Sequence, residues 1–157
     1  MTSMPPARSG RAYLNFIASH DGIGLRPAEG LLSPRELDGL IENIRESGGE
    51  ISMRRTPQGD LTPYEANISL YSAMERPIDG EVDDFQMARF ICAHTIMLAL
   101  EGLPAIYIHS LLGTENNREG MAQSGRARTI NRYHWEADDL YAALDDDGAT
   151  TRRSSLK

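Results

Sequence analysis

Asn15-Phe16-Ile17-Ala18-Ser19-His20-Asp21-Gly22-Ile23-Gly24 is the stretch on which the reading of this chain turns. With Ala12-Tyr13-Leu14 before it, the run is apolar, aromatic and β-branched. It reads as a buried strand over 12–19, and Gly22 and Gly24 let the chain turn behind it without a side-chain clash. In α/β sheets the loops at the carboxyl ends of strands form the ligand site. His20 and Asp21 therefore stand where chemistry sits, as a candidate substrate-gripping corner. On spacing alone the pair has a second reading, a plain turn in which Asp21 accepts backbone amides and His20 satisfies a buried carbonyl.

Downstream, Ser33-Pro34-Arg35-Glu36 is a helix start: Ser33 caps, Pro34 suits the first helical position, and Glu36 reaches back to the cap amide. Leu37, Leu40, Ile41 and Ile44 then recur at helical spacing, and Gly48-Gly49 allows a left-handed stop. Pro57-Gln58-Gly59-Asp60 between β-prone runs predicts a small hairpin or an irregular excursion within 50–70, an insertion rather than a barrel element. Residues 82–101 predict a second, buried helix with Asp83 and Asp84 at its amino end, stopped by Gly102 and Pro104. Residues 105–109 read as a second buried strand, 110–132 as its long polar loop, and 137–144 as a last helix. His94 reads as a satisfied core residue, His109 as better placed for the site, and His134-Trp135-Glu136 as helix-start packing or a pocket rim.

The chain has 157 residues, a net charge of -7 and 40% hydrophobic residues. Acidity argues against nucleic acid, since a phosphate-tracking surface needs clustered Lys and Arg. Cys92 is the one cysteine, so no disulfide framework exists and a buried thiol is expected. The longest apolar run, Phe85 to Leu100, is interrupted by Gln86, Arg89 and His94. No signal peptide, no membrane span and a cytoplasmic location are the expectations. Neither His spacing nor any Cys pair makes a metal site, and no cofactor is expected.

Three colinear stretches carry a resemblance. They are Asn15 to Pro27, Pro63-Tyr64-Glu65-Ala66-Asn67-Ile68, and Gly102 to Gly113 leading to Arg128-Thr129-Ile130-Asn131-Arg132. The first resembles the surroundings of barrel strand seven in the sucrose phosphorylase branch of glycoside hydrolase family 13, the α-amylase family, and the other two resemble the same branch. The resemblance implies an α/β fold, a partial (β/α)8 TIM barrel of about strands seven and eight with their helices and an inserted loop. It divides the chain into a connector at 1–11, the carboxyl-terminal part of the catalytic barrel at 12–144, and a disordered or truncated tail at 145–157.

By the same resemblance, Asp21 is the third carboxylate, the transition-state stabiliser that holds ring hydroxyls as the sugar flattens, and His20 hydrogen-bonds the same sugar. Tyr64 and Glu65 line the acceptor side, and Arg128, with Arg126 second, contacts phosphate or acceptor. For Arg128 a purely structural salt bridge is the alternative. Where sucrose phosphorylases have a Gln after the Tyr and an Asp two residues before it, this chain has Glu65 and Thr62, which makes fructose doubtful; together with His109 to Gly113 and Ser124 to Arg132, the likeness is to enzymes directed at glucosylglycerate or at phosphosugars. The implied activity is retaining transfer of glucose from an α-glucoside to inorganic phosphate, the co-substrate, giving glucose 1-phosphate. The alternatives are sucrose phosphorylase, another glucosidase or transglucosidase of the family, or a non-catalytic sugar-binding remnant. No segment resembles those bearing the nucleophile or general acid, so the chain alone is expected to be inactive, with self-association through exposed barrel faces.

Overall fold

The computed structural model describes residues 5–145. Two small sheets, rather than one, organise them. In the first, β1 (Leu14–Asn15) runs parallel to β5 (Leu103–Pro104), pairing Leu14 with Leu103 and Asn15 with Pro104. In the second, β2 (Ile23–Gly24), β4 (Leu61–Asn67) and β3 (Glu50–Arg55) are antiparallel in the order β2-β4-β3. The predicted 50–70 hairpin is the β3–β4 pair, turning at Gly59 with φ +95°, and β2 adds the third strand to it.

The helix at Ser33 forms as read. Helix α1 (Pro34–Glu46) has a full capping box: Glu36 N–H donates to Ser33 Oγ, and Ser33 N–H donates to Glu36 Oε2 at 2.8 Å. Ile41 and Ile44 bury its apolar stripe, and Gly48 takes the left-handed stop at φ +77°. Helix α2 (Leu70–Ala73) follows β4 and packs against α3 (Gln86–Ala99). Helices α4 (Ile108–Leu111), α5 (Arg118–Ser124) and α6 (Ala137–Asp145) follow β5.

Two apolar clusters share Ile23. One holds Ala18, Leu70, Tyr71 and Phe90, and the other Leu25, Ile44, Ala66 and Ile68. Tyr71 and Phe90 meet edge to face at 5.4 Å, a favoured aromatic geometry.

Several expectations are corrected. The predicted buried strand over 12–19 forms a ladder only at Leu14–Asn15, since Ser19 turns back to bridge Gly22, and with no strand on its other side among the described residues Leu14 and Phe16 are more than half exposed. The second strand lies at Leu103–Pro104, not 105–109: Ala105 N–H makes the last bond to Asn15 O, at 2.8 Å, and His109 sits in α4. The predicted loop 110–132 contains α5 and a 3-10 turn, Ala127–Asn131. Helix α3 is only half buried; Phe90 and Met97 point inward, while Ile91, Ile96, Leu98 and Cys92 are exposed, so the thiol is not in the core. Of the predicted tail, Asp145 closes α6 and 146–157 lie outside the described residues.

Candidate active site

The corner begins where β1 ends. Ser19 and Gly22 bond each other's backbones at 2.9 and 3.1 Å, and the Asp21 amide donates to Ser19 Oγ at 3.2 Å, so His20 and Asp21 form the tip of a closed turn. Gly22 has φ +122°, and a Cβ there would run into the Ala66 carbonyl of β4. Glycine is what lets the turn lie directly on the second sheet.

Three side-chain donors grip three successive carbonyls of this turn. Asn131 Nδ2 donates to Ser19 O at 2.6 Å, Arg132 Nε to His20 O at 3.1 Å, and Asn67 Nδ2 to Asp21 O at 3.0 Å. Asn67 and Glu65 share a face of β4 because strand side chains alternate, and Asn67 Nδ2 also donates to Glu65 Oε2 at 2.8 Å. Ser52 Oγ donates to Asn67 Oδ1 at 2.6 Å and fixes that amide's orientation.

The charges interlock above the grip. Arg128 donates from Nε and Nη2 to the two oxygens of Glu65, at 3.0 and 3.3 Å, a forked pair that sets the guanidinium plane. Its Nη1 lies 3.4 Å from Asp21 Oδ2. Arg132 Nη2 donates to Asp21 Oδ1 at 2.6 Å, and His20 Nε2 is 3.3 Å from the same oxygen. Glu65 is buried while Arg128 is about half exposed, so the pair forms one wall of the site rather than a core bridge. Hydrogen bonding to Glu65, then its charge, and to a lesser degree Asp21 and Tyr64, hold Arg128 above the usual guanidinium range.

Beside His20 a mainly apolar hollow of about 270 Å³ is walled by Phe16, Ala18, Ile106 and Tyr107. The Tyr107 hydroxyl donates to Asn131 O at 2.9 Å. Burial pushes its phenol up, Arg132 opposes, and Asp21 adds to the rise. The corner thus presents ion-paired carboxylates on one side and an aromatic wall on the other.

Of the residues expected from sequence, His20, Asp21, Glu65 and Arg128 come together from three separate stretches. Tyr64, on the opposite strand face from Glu65, is partly exposed and near enough to act electrostatically on Arg128. Arg126 starts the 3-10 turn with an exposed side chain that enters none of these bonds. The corner is a tight turn, but not through the contacts expected of a plain turn: the Asp21 carboxylate faces Arg128, Arg132 and His20 rather than backbone amides, and the His20 ring is exposed rather than set on a buried carbonyl.

Sequence reasoning missed Arg132, Asn67, Asn131 and Tyr107. One was detectable: Asn67 stands two residues beyond Glu65 in a β-prone run, so the two share a face. His109 lies outside the cluster, half-buried against Tyr107 with Nδ1 3.3 Å from Thr114 Oγ1. His94 is partly buried and satisfied through Nδ1 and Phe90 O at 3.0 Å. His134 is exposed and pairs with Glu136 at 3.5 Å. Among the described residues no group of three His, Cys, Asp or Glu is arranged to hold a metal, and no helix is long and apolar enough to cross a membrane.

No protein-family model matches the chain. Its sequence is 39% identical over 144 residues to the glucosylglycerate phosphorylase of Allomeiothermus silvanus, covering 92% of this chain and 25% of that protein. It is 48% identical over 122 residues to the glucosylglycerate phosphorylase of Spirochaeta thermophila, covering 77% of the chain and 20% of the relative. Identity to the sucrose phosphorylase of Agrobacterium vitis is 32% over 143 residues, covering 84% and 27%. Among solved structures, the sucrose 6F-phosphate phosphorylase from Thermoanaerobacter thermosaccharolyticum superposes with a TM-score of 0.69 at 19% identity, over 87% of this chain and 27% of that one. That last likeness is one of fold. The chain spans about a quarter of the length of the curated relatives it matches.

Proposed function

Because the chain belongs, over most of its length, with the glucosylglycerate and sucrose phosphorylases of glycoside hydrolase family 13, we propose that it is the sugar-holding and acceptor-facing part of a retaining α-glucoside phosphorylase. The reaction moves glucose from a glucosylglycerate-like donor to inorganic phosphate and releases glucose 1-phosphate, without a cofactor. In this reading β1 and β5 are strands seven and eight of the barrel, and residues 12–144 are its carboxyl-terminal part.

The observation that carries the reading is the convergence of His20 and Asp21 with Glu65 and Arg128. Asp21, fixed between two arginines, accepts hydroxyls of the bound glucosyl ring and strengthens those bonds as positive charge develops at the anomeric carbon. His20, more than half exposed at the tip of the turn, hydrogen-bonds the same ring. Arg128 gives Glu65 two N–H groups and turns Nη1 toward Asp21, so one N–H on each terminal nitrogen remains for an anion. Glu65 lines the acceptor side; Tyr64, on the other face of β4, contributes through its closeness to Arg128, and Arg126 is a second cation of the same 3-10 segment.

Retaining transfer needs an attacking carboxylate and a proton-donating carboxyl about 5 Å apart. Both oxygens of Glu65 already accept hydrogen bonds, and Asp21 is ion-paired through both of its own. Both are engaged in holding Arg128, and Asp21 also Arg132, which supports assigning attack and proton donation to residues outside this chain. The 157-residue chain by itself is then inactive.

The test has two parts. The purified chain should release glucose 1-phosphate from glucosylglycerate and phosphate no faster than buffer. Exchanged for the matching segment of the Spirochaeta thermophila relative, it should support phosphorolysis with glucosylglycerate preferred over sucrose. In that chimera Asp21→Asn should lower kcat about 100-fold or more, and Arg128→Lys should raise the KM for phosphate. Turnover by the isolated chain, or a folded chimera indifferent to Asp21→Asn, would overturn the proposal.

A further inference from the structure

A second hollow, of about 490 Å³, opens between Thr114–Glu119 and the aromatic pair Tyr133 and Trp135, and shares no lining residue with the Asp21 cluster. The two rings meet edge to face at 4.9 Å, and Trp135 Nε1 donates to Thr114 Oγ1 at 3.2 Å, which fixes the indole as a wall. Glu115, Asn116 and Arg118 line this hollow and also a polar recess of about 140 Å³ that reaches Ser47 and Ser72. The two hollows therefore share a wall.

The recess is rigidly built. Asn116 N–H donates to Ser72 Oγ at 3.0 Å, its Oδ1 accepts from Ser69 N–H at 2.9 Å, and its Nδ2 donates to Ser47 O at 3.0 Å. Gly48, at φ +77°, has no Cβ to collide with the Arg118 guanidinium packed on it. One group stands out against this saturation: Ser47 is 1% exposed, and its Oγ has no hydrogen-bond partner among the described residues. Buried hydroxyls are nearly always paired, so an unpaired one at a polar recess marks a place for a ligand's hydrogen-bonding group.

The chemistry of the walls selects the ligand. Glu75, Glu115 and Glu119 outnumber Arg118, which disfavours an anion. Carboxylates accept from hydroxyls, Arg118 donates to them, and an aromatic face covers C–H bonds. The outer volume lies within the range of small-molecule sites, about 300–1,000 Å³. We infer that this hollow, with the recess on the other side of its shared wall, binds a neutral polyhydroxylated ligand, a sugar or polyol, at a site separate from the Asp21 cluster.

Trp135 is the single tryptophan of the chain, so its emission reports on this groove alone. Titrating the full 157-residue chain with D-glucose should give a saturable change in that emission. Ser47→Ala, which removes a hydroxyl that no hydrogen bond among the described residues uses, should keep the far-ultraviolet circular dichroism and weaken binding roughly 3- to 10-fold, the effect of one hydrogen bond. Tyr133→Ala should weaken binding independently, and Asp21→Asn should leave the midpoint unchanged. The inference fails if glucose gives no saturable change, if neither Ser47→Ala nor Tyr133→Ala shifts the midpoint, if Asp21→Asn abolishes the response, or if sodium phosphate reproduces it.

Discussion

Gly22 shows how a single residue can decide whether the corner forms. Its φ of +122° is strained for any L side chain, and a methyl group would meet the Ala66 carbonyl, which the β4 backbone cannot move aside. Gly22→Ala should destabilise the chain by about 2–3 kcal/mol, read as a lower midpoint in urea; an unchanged midpoint would mean that the turn does not press on β4. Glu65 is the other decisive residue, because it faces three donors at once from a buried position. Replacing it with Gln sets an amide N–H₂ among those donors and removes the charge opposite Arg128. Because Arg128 is about half exposed and water screens part of the pair, Glu65→Gln should cost about 1–2 kcal/mol rather than the larger penalty of a fully buried ion pair.

At the scale of elements, α1 and the β3–β4 hairpin follow local rules, whereas α4 depends on its neighbours. His109 in α4 is half-buried, and desolvation, opposed by a hydrogen bond with the Tyr133 backbone, lowers its pKa below the ordinary 6.5. The folded chain then binds this proton less readily than the unfolded chain. Its contribution to stability is complete above pH 6.5 and is lost as the pH falls toward the lowered folded value. Thermal midpoints measured between pH 7 and 5 should fall on acidification, and His109→Gln should flatten that slope. The separate acid-side losses from Glu36, held low by Ser33, and from Asp83, held low by Arg89, belong to the carboxylate range below it. An equal slope in both proteins would remove His109 from the account.

The whole molecule leaves much apolar surface uncovered. Leu14, Phe16 and Leu103 are each more than half exposed around the β1–β5 pair, and Phe85, Ile96 and Leu98 likewise along α3. Strand edges and contiguous apolar faces of this kind drive association. The chain should therefore self-associate at micromolar concentration by light scattering, and Ile96→Glu with Leu98→Lys should shift the distribution toward monomer. A sharp monomer peak with a cooperative melt in the unaltered chain would count against this.

What the sequence by itself determined was local: the Ser33–Glu36 capping box, the hairpin around Gly59, and the placing of His20 and Asp21 on a turn after a strand. Each is set by the conformational and hydrogen-bonding preferences of residues within a few positions of one another. The colinear motifs added the expectation that Glu65 and Arg128 serve the same site as that turn, and the ion pairs that join them are the structure's contribution. Only the tertiary structure decided that Arg132, Asn131 and Asn67 hold three consecutive carbonyls of the turn, across separations of up to 112 residues. It likewise decided that the strand at 12–19 pairs over two residues, and that α3 turns Cys92 outward. Strand length and burial are properties of the partner rather than of the segment, and no period in the sequence encodes which surface a neighbour covers.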